Sequence, residues 1–169
     1  MTGTGQTIGR LTDAFGPSLS VEGPGVVVGR ERLREVLLFL RDESDLAFSM
    51  LTDLFAVDRY PGEPRFEVVY LLNSLKLKER LTIKIRLNDG EHAPTVSDLW
   101  RAADWLEREA FDMYGLYFDN HPDLRRILMV EDFDGYPLRK DFPTEGYGFD
   151  RPFLVRLDAD EGASKKTDQ

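Results

Sequence analysis

The stretch "RLTIKIRLN", residues 80–88, alternates Leu81, Ile83, Ile85 and Leu87 with Thr82, Lys84, Arg86 and Asn88. Successive side chains of a strand point to opposite faces, so this period of two describes a strand with one buried and one wet face. Immediately upstream, "LAFSMLTDLFAVD" (46–58) and "RFEVVYLLNS" (65–74) flank "RYPGEP", whose two prolines and glycine are turn chemistry. The three runs read as an antiparallel meander.

Helices stand on either side of it. In "RERLREVLLFLRDE" (30–43), Leu33, Val36, Leu37 and Leu40 keep the spacing of an amphipathic helix. "NDGEHAP" stops the sheet. "TVSDLWRAADWLEREAFDMYG" (95–115) then offers Ser97 as N-cap with Asp98 at the positive end of the helix dipole. Leu99, Ala102 or Ala103, Leu106 and Ala110 form its apolar stripe, and Gly115 is a natural terminator. "GVVVG" (25–29) is a further short strand. The expected fold is α+β: a small, mainly antiparallel sheet with helices packed on one face, followed by a long, extended, irregular C-terminal arm.

The expected divisions are a flexible N-terminus (1–16), the α+β domain (17–118), the arm (119–157) and a disordered, small and polar tail (158–169). The arm contains Pro122, Pro137, Pro143 and Pro152 and has no sustained period, yet Phe133, Tyr136, Phe142, Tyr147, Phe149 and Phe153 place six aromatics in twenty-one residues. A solvated linker does not carry such rings. They are expected to be buried against the chain's own sheet or, the favoured reading, against another protein.

Composition narrows the chemistry. With 169 residues, 41% hydrophobic and 31% charged, the chain has room for one compact core. A net charge of -9 argues against a general nucleic-acid binder and against adsorption to anionic lipid. The absence of cysteine removes thiol catalysis and cysteine-ligated zinc or iron–sulfur sites. The longest apolar run, Val36 to Leu40, is far short of the roughly 20 residues a membrane span needs. The opening residues lack a secretory pattern, so a cytoplasmic location is expected.

The densest group of ionisable residues is "EREAFDMYGLYFDNHPDLRRIL", 107–128. Glu107, Glu109 and Asp112 are candidate acids or bases, and His121 a candidate proton carrier. The bland reading is stronger: Asp104 with Arg108, and Arg108 with Asp112, have ion-pair spacing along a helix. Pro122 forces His121 into extended backbone beyond the helix. "EDFDG" (131–135) lacks the later ligands of a calcium loop, and nucleotide-binding and nucleophile-elbow motifs are missing. Arg125, Arg126, Arg139 and Lys140 are the cationic anchors of the arm, the arginines being well suited to carboxylates or carbonyls on a partner.

These residues resemble the signature of the C subunit of proton-pumping NADH:quinone oxidoreductase, respiratory complex I. Glu107, Arg108, Glu109, Asp112, Met113, Tyr114, His121 and Arg125 fall on its pattern: E-R-E, two residues, an acid, two apolar residues, six more, His, three more, Arg. "DGYPLRKDFP" (134–143) is similar to the family's G-H-P-L-R-K-D-F-P, with Tyr136 where histidine is usual. The exchange weakens a proton-transfer role there and leaves hydrogen bonding or packing.

The resemblance implies a structural and assembly subunit of the hydrophilic arm, peripheral on the cytoplasmic side of the bacterial inner membrane, in a complex that transfers electrons from NADH to quinone and pumps protons. It implies no cofactor in this chain, with FMN, iron–sulfur clusters, NADH and quinone belonging to other subunits. Implied neighbours are the D subunit, which carries the quinone site, and the B and I subunits. Implied partner-binding residues are Glu107, Arg108, Glu109, Asp112, His121, Asp123, Arg125, Arg126, Arg139, Lys140, Asp141 and Phe142. Alternatives are the equivalent subunit of a membrane-bound hydrogenase or a cyanobacterial or chloroplast-type complex, and a free-standing acid–base enzyme using His121 with Glu109 or Asp112.

Overall fold

The computed structural model describes residues 3–146; the tail (158–169) and the last part of the expected arm (147–157), with Tyr147, Phe149 and Phe153, lie outside the described residues. The meander is present as β3 (Met50–Asp58), β4 (Phe66–Ser74) and β5 (Glu79–Leu87), and its register sets Leu54, Tyr70 and Ile83 side by side, as it does Ala56, Val68 and Ile85. These rows face the helices. Fully burying side chains of this size contributes roughly 1.5–3 kcal/mol each.

Two further strands, β1 (Leu19–Glu22) and β2 (Gly25–Val28), extend the sheet, which runs β1-β2-β5-β4-β3. β2 lies parallel to β5, with Val26 beside Ile83, while the other pairings are antiparallel. Helix α2 (Leu33–Asp42) buries Leu33, Val36, Leu37 and Leu40, as their spacing requires. On the other face of the sheet Glu67 is held by Lys84 at 3.0 Å and Arg59 at 3.2 Å, which is how a carboxylate is accommodated in mid-sheet.

The N-terminus corrects an expectation. Residues 3–15, expected to be loose, form helix α1 (Gly3–Phe15), with Leu11 fully buried and Phe15 edge-on to Phe39 at 5.4 Å. Its glycines and threonines are poor helix formers, and the helix is carried by Ile8, Leu11 and Phe15 against the core.

The third helix, α3 (Ala102–Tyr114), starts later than the sequence suggests, and Ser97 is not its cap. The N–H groups of Val96 and Ser97 go instead to Glu107 and to the Thr95 hydroxyl, and Asp98 pairs with Arg34 at 2.7 Å. Two short parallel strands, β6 (Ala93–Pro94) and β7 (Phe118–Asp119), bracket α3 and fix both of its ends. Residues beyond β7 contain no regular element within the described part of the chain.

Candidate functional site: the signature helix and the segment clasped to it

Helix α3 buries Ala103, Ala110 and Met113, and with them three charged residues, Glu107, Arg108 and Asp112. A charge inside a protein must be paired or hydrogen-bonded, so the site consists of what these three have found.

Asp112 is fully buried. Its Oδ2 accepts the N–H groups of Ile127 (3.0 Å), Leu128 (2.7 Å) and Met129 (2.9 Å), and its Oδ1 accepts from Arg126 at 2.8 Å. Burial alone would raise this carboxyl, but the three N–H groups and Arg126 outweigh it and hold the pKa below the usual aspartate value. The expected pair of Arg108 with Asp112 is therefore replaced. Three amides and a guanidinium fixed by the following segment satisfy more lone pairs than one flexible side chain can.

Arg126 also donates to the carbonyls of Phe133 and Gly135, both at 3.0 Å, and lies over the rings of Phe133 and Tyr136 at 5.9 and 5.3 Å. The "EDFDG" loop thus supplies carbonyls to an arginine. Arg139 donates Nε–H to the Tyr114 carbonyl at 2.6 Å, one of the unpaired acceptors at the end of α3. Its guanidinium lies between Phe66 at 5.2 Å and Tyr136 at 4.9 Å.

Tyr136 therefore has a packing role. Its ring presses on Gly115, which ends α3 at φ 72, and a Cβ added there would sit 2.5 Å from the ring. Glycine is required twice over, for the left-handed turn and for the close approach.

Beside the ring, a second ionic centre joins the far end to the sheet. Arg65 bridges Asp58 (3.0 Å), Asp89 (2.9 Å) and Asp141 (2.6 Å), while Asp58 accepts the Lys140 N–H at 2.8 Å. Hydrogen bonds donated to Asp58 and Asp141 raise the Arg65 pKa, with burial opposing. Phe142 stacks on Phe133 at 5.9 Å.

At the other end of the site, Arg108 forms ion pairs with Asp104 (2.8 Å) and Asp123 (3.2 Å) and stands over Trp105 at 5.2 Å. The His121 imidazole, fully buried, accepts the Asp123 N–H at Nδ1 (3.1 Å) and donates Nε2–H to the Asp104 carbonyl (3.2 Å). That arrangement fits the tautomer carrying its hydrogen on Nε2. Glu107, also fully buried, accepts from Thr95 Oγ1 at 2.5 Å and from Val96 N–H at 2.7 Å. Its carboxyl is pushed up to about 7, chiefly by burial, against the lowering effect of those two donors.

The residues expected to bind a partner are thus not one group. Glu107, Arg108, Asp112, His121, Asp123 and Arg126 converge on α3 and on one another; Arg139, the Lys140 backbone and Asp141 serve the Arg65 centre; Glu109 and Arg125 are exposed. Within the described part, Arg126 and Arg139 have partners inside the chain, while Arg125 is exposed. Sequence reasoning overlooked Thr95, Asp58 and Arg65. Asp58 and Arg65 sit at the two ends of the prolyl turn, and a carboxylate ending an apolar strand beside an arginine was the available signal.

Comparison with known proteins agrees with this geometry. Residues 26–148 match the family described as "Respiratory-chain NADH dehydrogenase, 30 Kd subunit". The chain is 55% identical over 117 residues to the NADH-quinone oxidoreductase C subunit 2 of Rhizobium meliloti, covering 69% of this chain and 64% of that protein. It is 50% identical over 135 residues to the NADH-quinone oxidoreductase C subunit of Geobacter metallireducens, covering 78% of this chain and 81% of that protein.

In fold it is similar, at a TM-score of 0.71 and 24% identity, to a chain from the structure of the membrane-bound sulfane sulfur reductase, an archaeal respiratory membrane complex, covering 96% of this chain and 99% of that one. With the family matched from β2 through the meander, α3 and the clasped segment, the chain belongs to the 30 Kd subunit family of respiratory-chain NADH dehydrogenase.

Proposed function

We propose that the chain is a C-type subunit of NADH:quinone oxidoreductase and works there as a cofactor-free scaffold. Electron transfer from NADH to quinone, coupled to proton translocation, is then the activity of the assembly. The D, B and I subunits are its proposed neighbours, and the proposed place is peripheral, on the cytoplasmic side of the membrane. Among the described residues no helix is long and apolar enough to cross a membrane.

One observation carries the reading. α3 and the segment clasped to it expose Trp105 (62%), Leu128 (62%), Val130 (59%) and Leu138 (51%), while Arg108, Asp112 and Arg126 between them are spent on holding that shape. Large exposed apolar side chains on a rigid, internally paired support are what a permanent interface needs. Glu109 and Arg125, exposed beside them, are the polar contacts available to a partner. A free-standing acid–base enzyme fits less well, because Glu107, Asp112 and the His121 ring are shut away from any substrate.

The test is complementation. A tagged chain is expressed in a bacterium whose own gene for the C subunit is deleted, membranes are assayed for NADH:quinone activity, and co-purifying chains are identified. Restored activity with the D, B and I subunits on the tag is the expected result. Inactive membranes, with the tag on a hydrogenase-type assembly, would overturn it.

A further inference from the structure

Glu107 and Asp112 are both buried on α3, yet the protein solvates them differently. Asp112 meets four donors, one of them a guanidinium, whereas Glu107 meets one amide and one hydroxyl, and among the described residues no arginine or lysine pairs with it. The hydroxyl is the informative partner. A backbone N–H or an arginine can only donate, but a threonine Oγ donates and accepts. Thr95 Oγ1 lies 2.5 Å from Glu107 Oε2 and 2.9 Å from Ser97 Oγ, and it also accepts the Ser97 N–H at 3.2 Å. Thr95 and Ser97 in turn line an open cleft of about 800 Å3 whose other walls include Arg34, Asp98, Trp105 and Asp119. A continuous row of oxygens therefore runs from solvent to a buried carboxyl.

We propose that Glu107 is a buried proton-binding site, filled and emptied from this cleft through the Ser97 and Thr95 hydroxyls. When Glu107 is ionised, Thr95 O–H donates to it. When a proton enters, a solvent hydronium ion or buffer acid gives it to Ser97 Oγ, Ser97 passes its own to Thr95, and Thr95 passes its own to Glu107 Oε2. Each hydroxyl releases one proton as it takes one, so only the carboxylate changes charge. The new Glu107 O–H then donates back to Thr95 Oγ1, and both states keep the hydrogen bond without movement of the backbone.

The surroundings fit a site balanced near neutrality. Burial raises Glu107, Thr95 and Val96 lower it, and the charges of Asp104 on the same helix and Asp98 on the preceding turn raise it again. Facing it from the other elements are Arg34 on α2, within reach of its charge but committed to Asp98, His121 beyond β7, whose Nε2 is 3.8 Å from Oε2, and Tyr70 on β4. Arg108, the next residue on α3, is occupied by Asp104 and Asp123. The Tyr70 hydroxyl is fully buried with no hydrogen-bond partner among the described residues; burial first and Glu107 second raise its pKa. An orphaned buried hydroxyl within reach of this carboxylate's charge marks the pocket as poorly solvated, the condition that raises a carboxyl.

The test is a carbon-13 NMR titration of the purified full chain with labelled glutamate carboxyls. One carboxyl should titrate with its midpoint displaced upward from 4.5 to about 7, and it should be missing in E107Q. T95V, which removes the hydroxyl favouring the ionised form, should move that midpoint further up, and T95S should bring it back. S97A should leave the midpoint in place and slow proton exchange with solvent. The site is overturned if every glutamate titrates in the ordinary range or the displaced signal survives in E107Q. The hydroxyl path is overturned if S97A exchanges as fast as wild type. Should E107Q fail to fold, the T95V and T95S shifts still identify the residue.

Discussion

The sheet and the segment after β7 are held by opposite means. Rows such as Val26, Ile83, Tyr70 and Leu54 are fastened by removing apolar surface from water, a force without direction. Residues 121–141 have few such rows and are fastened by directed bonds on Asp112, Arg126, Arg139 and Arg65. A periodic strand gains from every second residue, while an irregular segment gains only where a particular donor meets a particular acceptor. The first therefore tolerates exchange of one apolar side chain for another of similar volume, and the second tolerates no exchange of its donors and acceptors.

Removing the Asp112 carboxylate breaks that contrast most strongly. D112A leaves three N–H groups and a guanidinium without their acceptor, and roughly 3–5 kcal/mol should be lost. The loss should be local: amide exchange at residues 127–129 should rise sharply while the sheet amides stay protected. I83A is the matching cut in the sheet, and about 2–5 kcal/mol should be lost there through the transition of the whole domain. If D112A lowers sheet protection as much as I83A does, the two regions are one cooperative unit.

Acidity separates the two buried carboxyls of α3 by sign. The folded Glu107 pKa of about 7 lies above its ordinary 4.5, so its contribution is complete below pH 4.5 and is lost as pH rises through about 7. At about 1.4 kcal/mol per unit that amounts to about 3 kcal/mol. Asp112 is lowered below 3.8, so its contribution is present above that pH and is lost as pH falls further. Urea unfolding of wild type against E107Q between pH 4.5 and 7 should show the first slope in wild type alone, and amide exchange in acid should show residues 127–129 opening first.

Gly115→Ala should cost about 1–2 kcal/mol for the left-handed backbone alone, with the Tyr136 ring displaced, which tyrosine fluorescence or ring NMR shifts would report. The smallest effect belongs to Glu109. E109Q should change stability by less than about 0.5 kcal/mol, because the side chain is exposed and has no ion pair among the described residues. If its only consequence is weaker assembly, Glu109 faces a partner.

The same contrast explains what the sequence disclosed. The meander, α2 and α3 follow from periods of two and of about 3.6, which are local and repeat themselves. The clasp is not local: Asp112 meets residues 127–129, and Asp58 meets Lys140 across 82 positions. Helical spacing paired Arg108 with Asp112 because it considers only neighbours on one helix, and the three N–H groups that won belong to a segment with no period. For the same reason the internal partners of Arg126 and Arg139 were not legible. α1 was missed for a different reason, since packing by Ile8, Leu11 and Phe15 overrode the poor propensity around them.

The position of Asp112 also sets an order of events during synthesis. Chains emerge from the ribosome N-terminus first and fold as they lengthen. The strands that seat α3, and α3 itself, precede in the chain the residues that close on Asp112, so the receiving carboxylate leaves the ribosome ahead of Ile127–Met129. Closing that short loop costs little entropy once the receiver is fixed. Among the described residues, the segment that latches onto α3 is thus the last to emerge, and the groups it latches onto all lie ahead of it.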